Sequence, residues 1–517
     1  MIDFLTDVVT FWDGIVIWYF AGLNLFYGIL FFASVLETWK NWMLASRLHL
    51  TERFEAEALP PVSIIMPAFD EEATILESLD AQLHLAYPHH EVIVVNDGSE
   101  DDTLSLLRDE YFLYEVPPAF PQRLDTEQVR GYYRSWTHPG LLVIDKENGG
   151  KADALNAGLN AARYPLCATV DADTLIDRDA LPRVVRPFLI EDDVAGSGGT
   201  IRVANDCRFE GGRAVEPRLP KSYLGAIQVP EYLRAFLFGR LGWNRLGGNI
   251  LVSGAFAVYR RDLLLEMGGY PTDSVTEDLD LTVRLHRHLR DEGKDYSLPF
   301  VPDPVAWTEV PEDLKSLGGQ RERWQRGLIR TLSGNLGMLF NPSYGRIGTV
   351  AFPFFLFGEM LAPVVEVIGY AVVIIGLSLG LLSWEYAALF LALALGYMML
   401  LSVWAVMLEE LTYRVYPRTR DFVRMLLYAF FEPFGYRQLT LWWRLKAFWQ
   451  AMVSDRRWGR HRRRGIQNGS GGRDDDDRAS PEAGRPEAGP RESGSADHED
   501  ADSGDTGGHS PVAAASS

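Results

Sequence analysis

The chain has 517 residues, 47% of them apolar, and a formal net charge of -20. That acidity excludes nucleic acid as a partner, which would require a basic face. Two cysteines, Cys167 and Cys207, are too few for a disulfide framework and point to a reducing cytosol for their segment.

In chain order, Ile15–Leu36 comes first: 22 residues without a charge, the length that spans a bilayer as a helix. Asp3, Asp7 and Asp13 precede it without a Lys or Arg, which argues against a secretory signal peptide. Lys40 and Arg47 follow it and mark its cytoplasmic end. Residues 1–45 are read as a transmembrane anchor and 46–345 as a cytoplasmic domain. Within that domain "VSIIMPAF" (Val62–Phe69), "EVIVVNDG" (Glu91–Gly98), "GLLVIDKE" (Gly140–Glu147) and "LCATVDAD" (Leu166–Asp173) are short β-branched runs, separated by helical stretches. Strands alternating with helices predict an α/β fold with a parallel sheet, whose ligands bind at the carboxyl ends of the strands. Residues 111–139 read as an insertion without regular pattern.

Residues 346–450 are apolar again. Pro363–Leu382 and Tyr386–Leu408 read as two spans joined by the outward turn Ser383-Trp384-Glu385, with Arg414, Arg418 and Arg420 on the inside. Ile347–Leu361, with Pro353 and Glu359, and Phe422–Trp449, interrupted by Glu432-Pro433 and Arg437, each fit an interfacial, re-entrant or bent segment. The tail, 451–517, is first basic (Arg456, Arg457, Arg460, Arg462, Arg463, Arg464) and then acidic, with 12 Asp/Glu against 4 Arg from Arg473 on. It holds too few aliphatics to order itself. Its basic cluster belongs in the cytoplasm, so the crossings after the soluble domain should be even in number.

Five polar clusters carry the chemistry. Asp171 and Asp173 end a strand one residue apart, so they point to the same side and repel. A divalent cation shared with a phosphate would offset that repulsion; a solvated helix entry, capped by Asp173 or Thr174, would also explain the pair. Asn96-Asp97-Gly98-Ser99 is either a plain turn or a loop whose Asp97 accepts from a nucleotide base. In "ENGGKADALNAG" the Gly149-Gly150 pair admits close approach and Lys151 opens a helix, which makes an anion site or an ordinary helix start. Thr276 reads as an N-cap with Glu277 and Asp278 in the first helical turn, as a dipole-stabilising pair or as a general base in a pocket. Gln320, Arg323 and Trp324 share a helix face, suited to stacking on a sugar and neutralising a diphosphate, or to lying at a membrane surface.

In order, Pro67-Ala68-Phe69-Asp70-Glu71, Asp97-Gly98-Ser99, Lys151–Asn156, Asp171-Ala172-Asp173, Thr276-Glu277-Asp278 and Gln320-Arg321-Glu322-Arg323-Trp324 resemble the motifs of the family 2 processive glycosyltransferases. These are the cellulose, chitin and hyaluronan synthases, and the likeness is greatest to the bacterial poly-N-acetylglucosamine synthases. Phe69 and Asp70 stand where the family more usually has Tyr and Asn. The resemblance covers about residues 10–450 and implies a GT-A type nucleotide-diphospho-sugar transferase domain, a Rossmann-like mixed sheet, joined to transmembrane helices.

It further implies a UDP-sugar donor, with N-acetylglucosamine as the sugar, and a Mg2+ or Mn2+ ion on Asp173. Pro67, Phe69, Glu71, Asp97, Lys151 and Asp171 would then hold the donor nucleotide. Asp278, with Glu277 beside it, would supply the catalytic base, and Gln320, Arg323 and Trp324 would bind the acceptor and diphosphate. The expected activity is inverting, processive transfer onto a growing polysaccharide at the cytoplasmic face of an inner or plasma membrane, coupled to export. Single transfer to a membrane lipid is the nearest alternative, and a non-catalytic nucleotide-binding scaffold is another. Glu359, Glu366, Glu432 and Arg437 would line a saccharide path or belong to docking helices. The sequence names no partner subunit.

Overall fold

The computed structural model of the chain describes residues 2–47, 59–210 and 212–453. The tail anticipated for 451–517 lies, from residue 454 on, outside the described residues. Helix α1 (Ile2–Arg47) precedes β1 (Val62–Ala68), α2 (Ile75–Leu83), β2 (His90–Asn96), α3 (Thr103–Glu110), β3 (Leu113–Val116), β4 (Val129–Ser135), β5 (Leu141–Lys146) and α4 (Lys151–Ala161). Then come β6 (Leu166–Val170), β7 (Thr174–Ile176), α5 (Ala180–Ile190), β8 (Gly196–Val203), and the hairpin of β9 (Arg208–Glu210) and β10 (Arg213–Glu216). Helix α6 (Tyr223–Leu233) continues through a π-helical turn, Arg234–Arg240, into α7 (Leu241–Leu246). The domain closes with β11 (Phe256–Arg260), α8 (Arg261–Glu266), α9 (Glu277–Asp291), β12 (Phe300–Thr308) and α10 (Leu314–Gly334). The C-terminal part holds π-helical turns Ile347–Ala351 and Phe354–Met360, α11 (Ala362–Ser378), α12 (Trp384–Leu391), a π-helical turn Ala392–Gly396, α13 (Tyr397–Thr412), α14 (Thr419–Phe431) and α15 (Tyr436–Val453).

Ten strands form one mixed sheet in the order β3-β4-β5-β2-β1-β6-β11-β8-β12-β7. Strands β5, β2, β1 and β6 are parallel, as the four β-branched runs predict. Both faces of these strands are covered, which is why they read as unbroken apolar runs. Ile64 and Met66 of β1 pack with Val92 and Val94 on one side, and Ile65, Ile93 and Val95 pack under α4 on the other. Strand β11 is antiparallel to β6, pairing Phe256 with Val170, so the chain enters β11 at the edge where β6 ends. Strand β8 is antiparallel to β11 and parallel to β12, so β12 also ends at that edge, and α10 starts from there.

Two expectations need correction. Residues 111–139 are not a patternless insertion: β4 extends the sheet antiparallel to β5, with Tyr132 opposite Ile144, and β3 is antiparallel to β4, with Leu113 opposite Ser135. Their alternation is masked because the strands lie at the sheet's end, where Tyr, Arg and Glu can face water. No helix starts at Asp173 or Thr174; Thr174–Ile176 is the strand β7, paired with β12, and the following helix begins at Ala180.

Two helical stretches, Val9–Asn41 and Trp384–Thr412, are long and apolar enough to cross a membrane. The segment read as the span Pro363–Leu382 forms the 17-residue α11, at the short end of what crosses a bilayer. It joins Ile347–Met360 at a 45° bend, and the pair would make a third span if counted as one. The segment 422–449 is likewise two helices, α14 and α15, broken where Glu432-Pro433 interrupts the apolar run.

Candidate active site

Everything the sequence singled out in the first four motifs lies along the carboxyl edge of the sheet. The Asp97 carboxylate, 3% exposed as a residue, sits just beyond β2. Its Oδ1 accepts from the Lys146 ammonium at 2.6 Å and from the Gly149 amide at 3.0 Å, and its Oδ2 accepts from the Gly150 amide at 2.7 Å. Lys146, fully buried, also pairs with Asp153 at 2.6 Å. The Asp97 loop and the loop before Lys151 are thus stitched into one unit. Gly150, at φ +90°, makes the turn into α4, a conformation a side chain would strain. Sequence reasoning passed over Lys146 and Asp153 because both look like ordinary strand-end and first-turn residues. Only the pairing of β2 with β5 brings Lys146 beside Asp97.

Pro67 is buried in β1, and Phe69 follows it at the strand's end, partly exposed. Asp70 takes φ +53°, tolerable for Asp, and its Oδ1 accepts from the Glu100 amide at 2.9 Å while its own amide donates to Ser99 Oγ at 3.1 Å. The Glu71 amide donates to Thr103 Oγ1 at 2.9 Å, and its carboxylate accepts from Thr74 Oγ1 at 3.0 Å. These contacts bind the β1 end to the Asp97 loop.

Lys151 is the junction of the site. Its Nζ lies 2.6 Å from Asp171 Oδ1 and 2.8 Å from Glu277 Oε1, so the strand-end pair and the acidic turn of α9 share one cation. Asp171 is therefore offset first by Lys151, a partner the sequence reading assigned to the diphosphate. Burial pushes the Asp171 carboxyl up, Lys151 opposes it, and the Asp173 charge adds to the rise. Asp173 is 8% exposed and lines a small cavity with Thr74, Glu77 and Ser78.

Asp278 lines a cavity of about 10 Å3, room for about one water, with Lys151, Ser253, Gly254, Tyr259 and Tyr270. The Asp278 carboxylate lies against the backbone of Gly254: a Cβ there would stand 2.5 Å from its Oδ2. Burial, then the neighbouring Glu277 charge, raises the Asp278 carboxyl above the usual range, with Lys151 pulling the other way. For Glu277 burial also pushes upward, but Lys151 overrides it and the group is held low. Ser253 and Gly254 carry no catalytic signature in sequence; they reach the site because β11 runs antiparallel to β6.

Helix α10 delivers the last motif. Asp313 caps it, accepting from the Lys315 and Ser316 amides at 3.0 and 2.9 Å. Arg323 lies close enough for its charge to act on Glu277. Trp324 is 40% exposed, with the Arg321 guanidinium 4.6 Å above its ring, and Arg321 is itself held by Glu231 at 2.8 Å. Gln320 is partly buried with an Oε1 that has no protein partner among the described residues. Gln320, Arg323 and Trp324 thus sit on one helix, with Arg323 within reach of the Glu277 charge and Arg321 as the support that the sequence reading left out.

Residues 63–114 match the family model described as Glycosyl transferase family 2, and residues 136–327 match the model described as Glycosyltransferase like family 2. Together these two matches support a family 2 glycosyltransferase. Its sheet, with β11 and β8 inserted beside the parallel strands, is the GT-A fold of that family, carried with helices apolar enough to cross a membrane. Among its relatives is the poly-beta-1,6-N-acetyl-D-glucosamine synthase of Staphylococcus epidermidis, 28% identical over 279 residues, which are 54% of this chain and 57% of the relative. The enzyme of that name from Staphylococcus aureus strain COL is 28% identical over 274 residues, 52% and 55% of the two chains. The chain spans little more than half the length of these relatives. Among solved structures, a mannosyltransferase from Pyrobaculum calidifontis in complex with GDP-Man and Mn2+ aligns at 20% identity, covering 82% of this chain and 99% of that one, with a TM-score of 0.47. Residues 1–349 of S. aureus TarS in complex with UDP-GlcNAc align at 16% identity and TM-score 0.34, covering 73% and 92%.

Proposed function

We propose that this family 2 glycosyltransferase transfers N-acetylglucosamine from its UDP donor to a growing polysaccharide, with inversion. The observation that carries the reading is the Lys151 bridge, which joins the donor-side Asp171 to the acidic turn that holds Asp278. Inverting transfer needs a base on the acceptor side and cationic groups on the leaving diphosphate, close together. Asp278, raised by burial and by Glu277, takes the acceptor hydroxyl proton. Lys151, at the N-terminus of α4, and Arg323 face the diphosphate. Asp97 and Phe69 flank the base, and Trp324 offers a stacking face to the acceptor sugar. The sugar itself is supported by the two staphylococcal relatives' names.

The donor set of Asp171 and Asp173 is all oxygen and anionic, which suits Mg2+ or Mn2+, with Asp173 the direct ligand. When bound there, such an ion neutralises charge developing on the diphosphate.

Membrane placement follows the same reading. Val9–Asn41 and Trp384–Thr412 cross, the bent pair around Leu361 crosses once, and two crossings after the domain return the chain to the cytoplasm. The charges that would line a saccharide path are paired: Glu366 with Arg437 at 2.7 Å, Glu432 with Arg234 at 2.5 Å, and Glu359 with the Tyr27 hydroxyl at 3.0 Å. That pattern favours docking of α11, α14 and α15 over an open polar lining.

The test is UDP release and product size in lipid nanodiscs with UDP-N-acetylglucosamine or UDP-glucose and Mg2+ or Mn2+. Asp278→Asn should abolish transfer and leave UDP affinity within about 3-fold. A variant that loses UDP binding to the same extent would make Asp278 a donor ligand and not the base. A single sugar added to lipid would replace processive synthesis with lipid glycosylation.

A further inference from the structure

Arg240 ends the π-helical turn Arg234–Arg240, between α6 and α7, in a stretch that no motif marks. Such turns interrupt the helical ladder and re-aim side chains, often at functional sites. Here the guanidinium lies over the Phe236 ring at 4.4 Å, and its Nη1 donates to the Val252 carbonyl at 3.0 Å. Among the described residues no carboxylate stands within ion-pair distance of it. Two residues beyond Val252 is Gly254, whose backbone abuts the Asp278 carboxylate. The Asp278 charge is felt at Arg240, and burial holds the guanidinium down to about 10.

We propose that Arg240 is a positioning residue for the base: its guanidinium pins the Val252–Gly254 entry to β11 against Asp278 and leaves its charge beside that carboxylate. An arginine paired with an acid would be neutralised locally and serve as a structural lock. This one spends a single donor on a backbone carbonyl, which fixes the loop and keeps the cation unquenched. The other groups that bear on Asp278 are Glu277 on its own helix, Lys151 from α4 and Asp171 from the end of β6, with Tyr259 on β11 and Tyr270 after α8 lining the same cavity. Glu277 and Asp171 oppose ionisation of the base. Lys151 is shared between them, so Arg240, at which the Asp278 charge is felt, adds a cation on the side of the ionised form.

The proposal rests on the transfer reaction above, with Asp278 as its base. Full-length chain in nanodiscs would be compared with Arg240→Met and Arg240→Lys, following UDP release against pH, UDP affinity, and hydrogen exchange of the peptide over residues 251–256. Arg240→Met should move the acid limb of kcat/KM to higher pH by roughly one unit. It should also lower kcat by about 10-fold or more with UDP affinity within about 3-fold. Arg240→Lys should keep the limb in place, since it keeps the charge. An acid limb unmoved in Arg240→Met overturns the proposal, whatever the rate does. If the unmodified chain releases no UDP from any donor, the transfer reading falls, and the exchange data decide separately. Faster exchange over 251–256 in Arg240→Met then supports the pinning, and unchanged exchange overturns it.

Discussion

Asp278 and Glu277 are adjacent carboxylates driven in opposite directions. Burial, then its neighbour's charge, raises the first, while Lys151 overrides burial at the second. A base must be ionised to accept a proton, so activity should fall as pH drops through the raised Asp278 value, above the ordinary carboxylate range. Glu277→Gln removes the like charge and frees Lys151 to act on Asp278. The acid limb of the pH–rate profile should then shift to lower pH, and a shift upward would remove Glu277 from the account. For stability the sign is the reverse: what the neutral Asp278 contributes below its unfolded value is lost as pH rises through its folded one. At this scale the sequence was informative wherever chemistry needs an acid, because Asp and Glu ending a β-branched run stand out. It was silent on Lys146, Gly254, Arg240 and Arg321, whose work depends on neighbours supplied by distant segments.

Packing of α10 against the start of α9 decides whether the acceptor motif faces the base. The contact is made at Gly327, where a Cβ would stand 2.1 Å from Thr276 Oγ1 and 2.7 Å from Thr276 Cβ. Both belong to rigid elements, so even one methyl must push the helices apart. Misplacement by about 1 Å can cost ~100-fold in rate. Gly327→Ala should therefore reduce kcat by at least about 10-fold with UDP affinity kept. A full-rate Gly327→Ala enzyme would show that α10 does not set the acceptor geometry. Elements differ in how plainly they read. β1, β2, β5 and β6 are buried on both faces and announce themselves as apolar runs. β7 is three residues long and owes its pairing to β12, far along the chain, whereas β3 and β4 pair with their neighbours in sequence. Their half-polar composition hides them, as the turn at Leu361 hides the bend between Met360 and Ala362.

At the scale of the whole molecule, the sheet is fastened to the Trp384–Thr412 helix by a buried ion pair, the only one between them among the described residues. Arg202 of β8 and Glu409 of α13 are each 1% exposed and meet at 2.5 Å; Arg202 also lies 5.8 Å from the Tyr413 ring. Arg202 Nε and Nη1 have no protein partner among the described residues, so the pair is only partly satisfied. A buried pair of this kind need not stabilise more than apolar residues would, but breaking it strands a charge and costs about 3–5 kcal/mol. Arg202→Met should therefore lower the thermal midpoint clearly, because Glu409 keeps only the Val415 amide, at 3.3 Å. Arg202→Met with Glu409→Met should recover most of that loss, since no charge remains to be buried. Tryptophan fluorescence of the parent, Arg202→Met, Glu409→Met and the double variant in nanodiscs reads both effects. If the double variant melts as low as the two single losses added together, Arg202 and Glu409 act independently and the sheet is held to the span by its apolar contacts. If it melts near the parent, the pair specifies the docking of domain on helix and contributes little net stability.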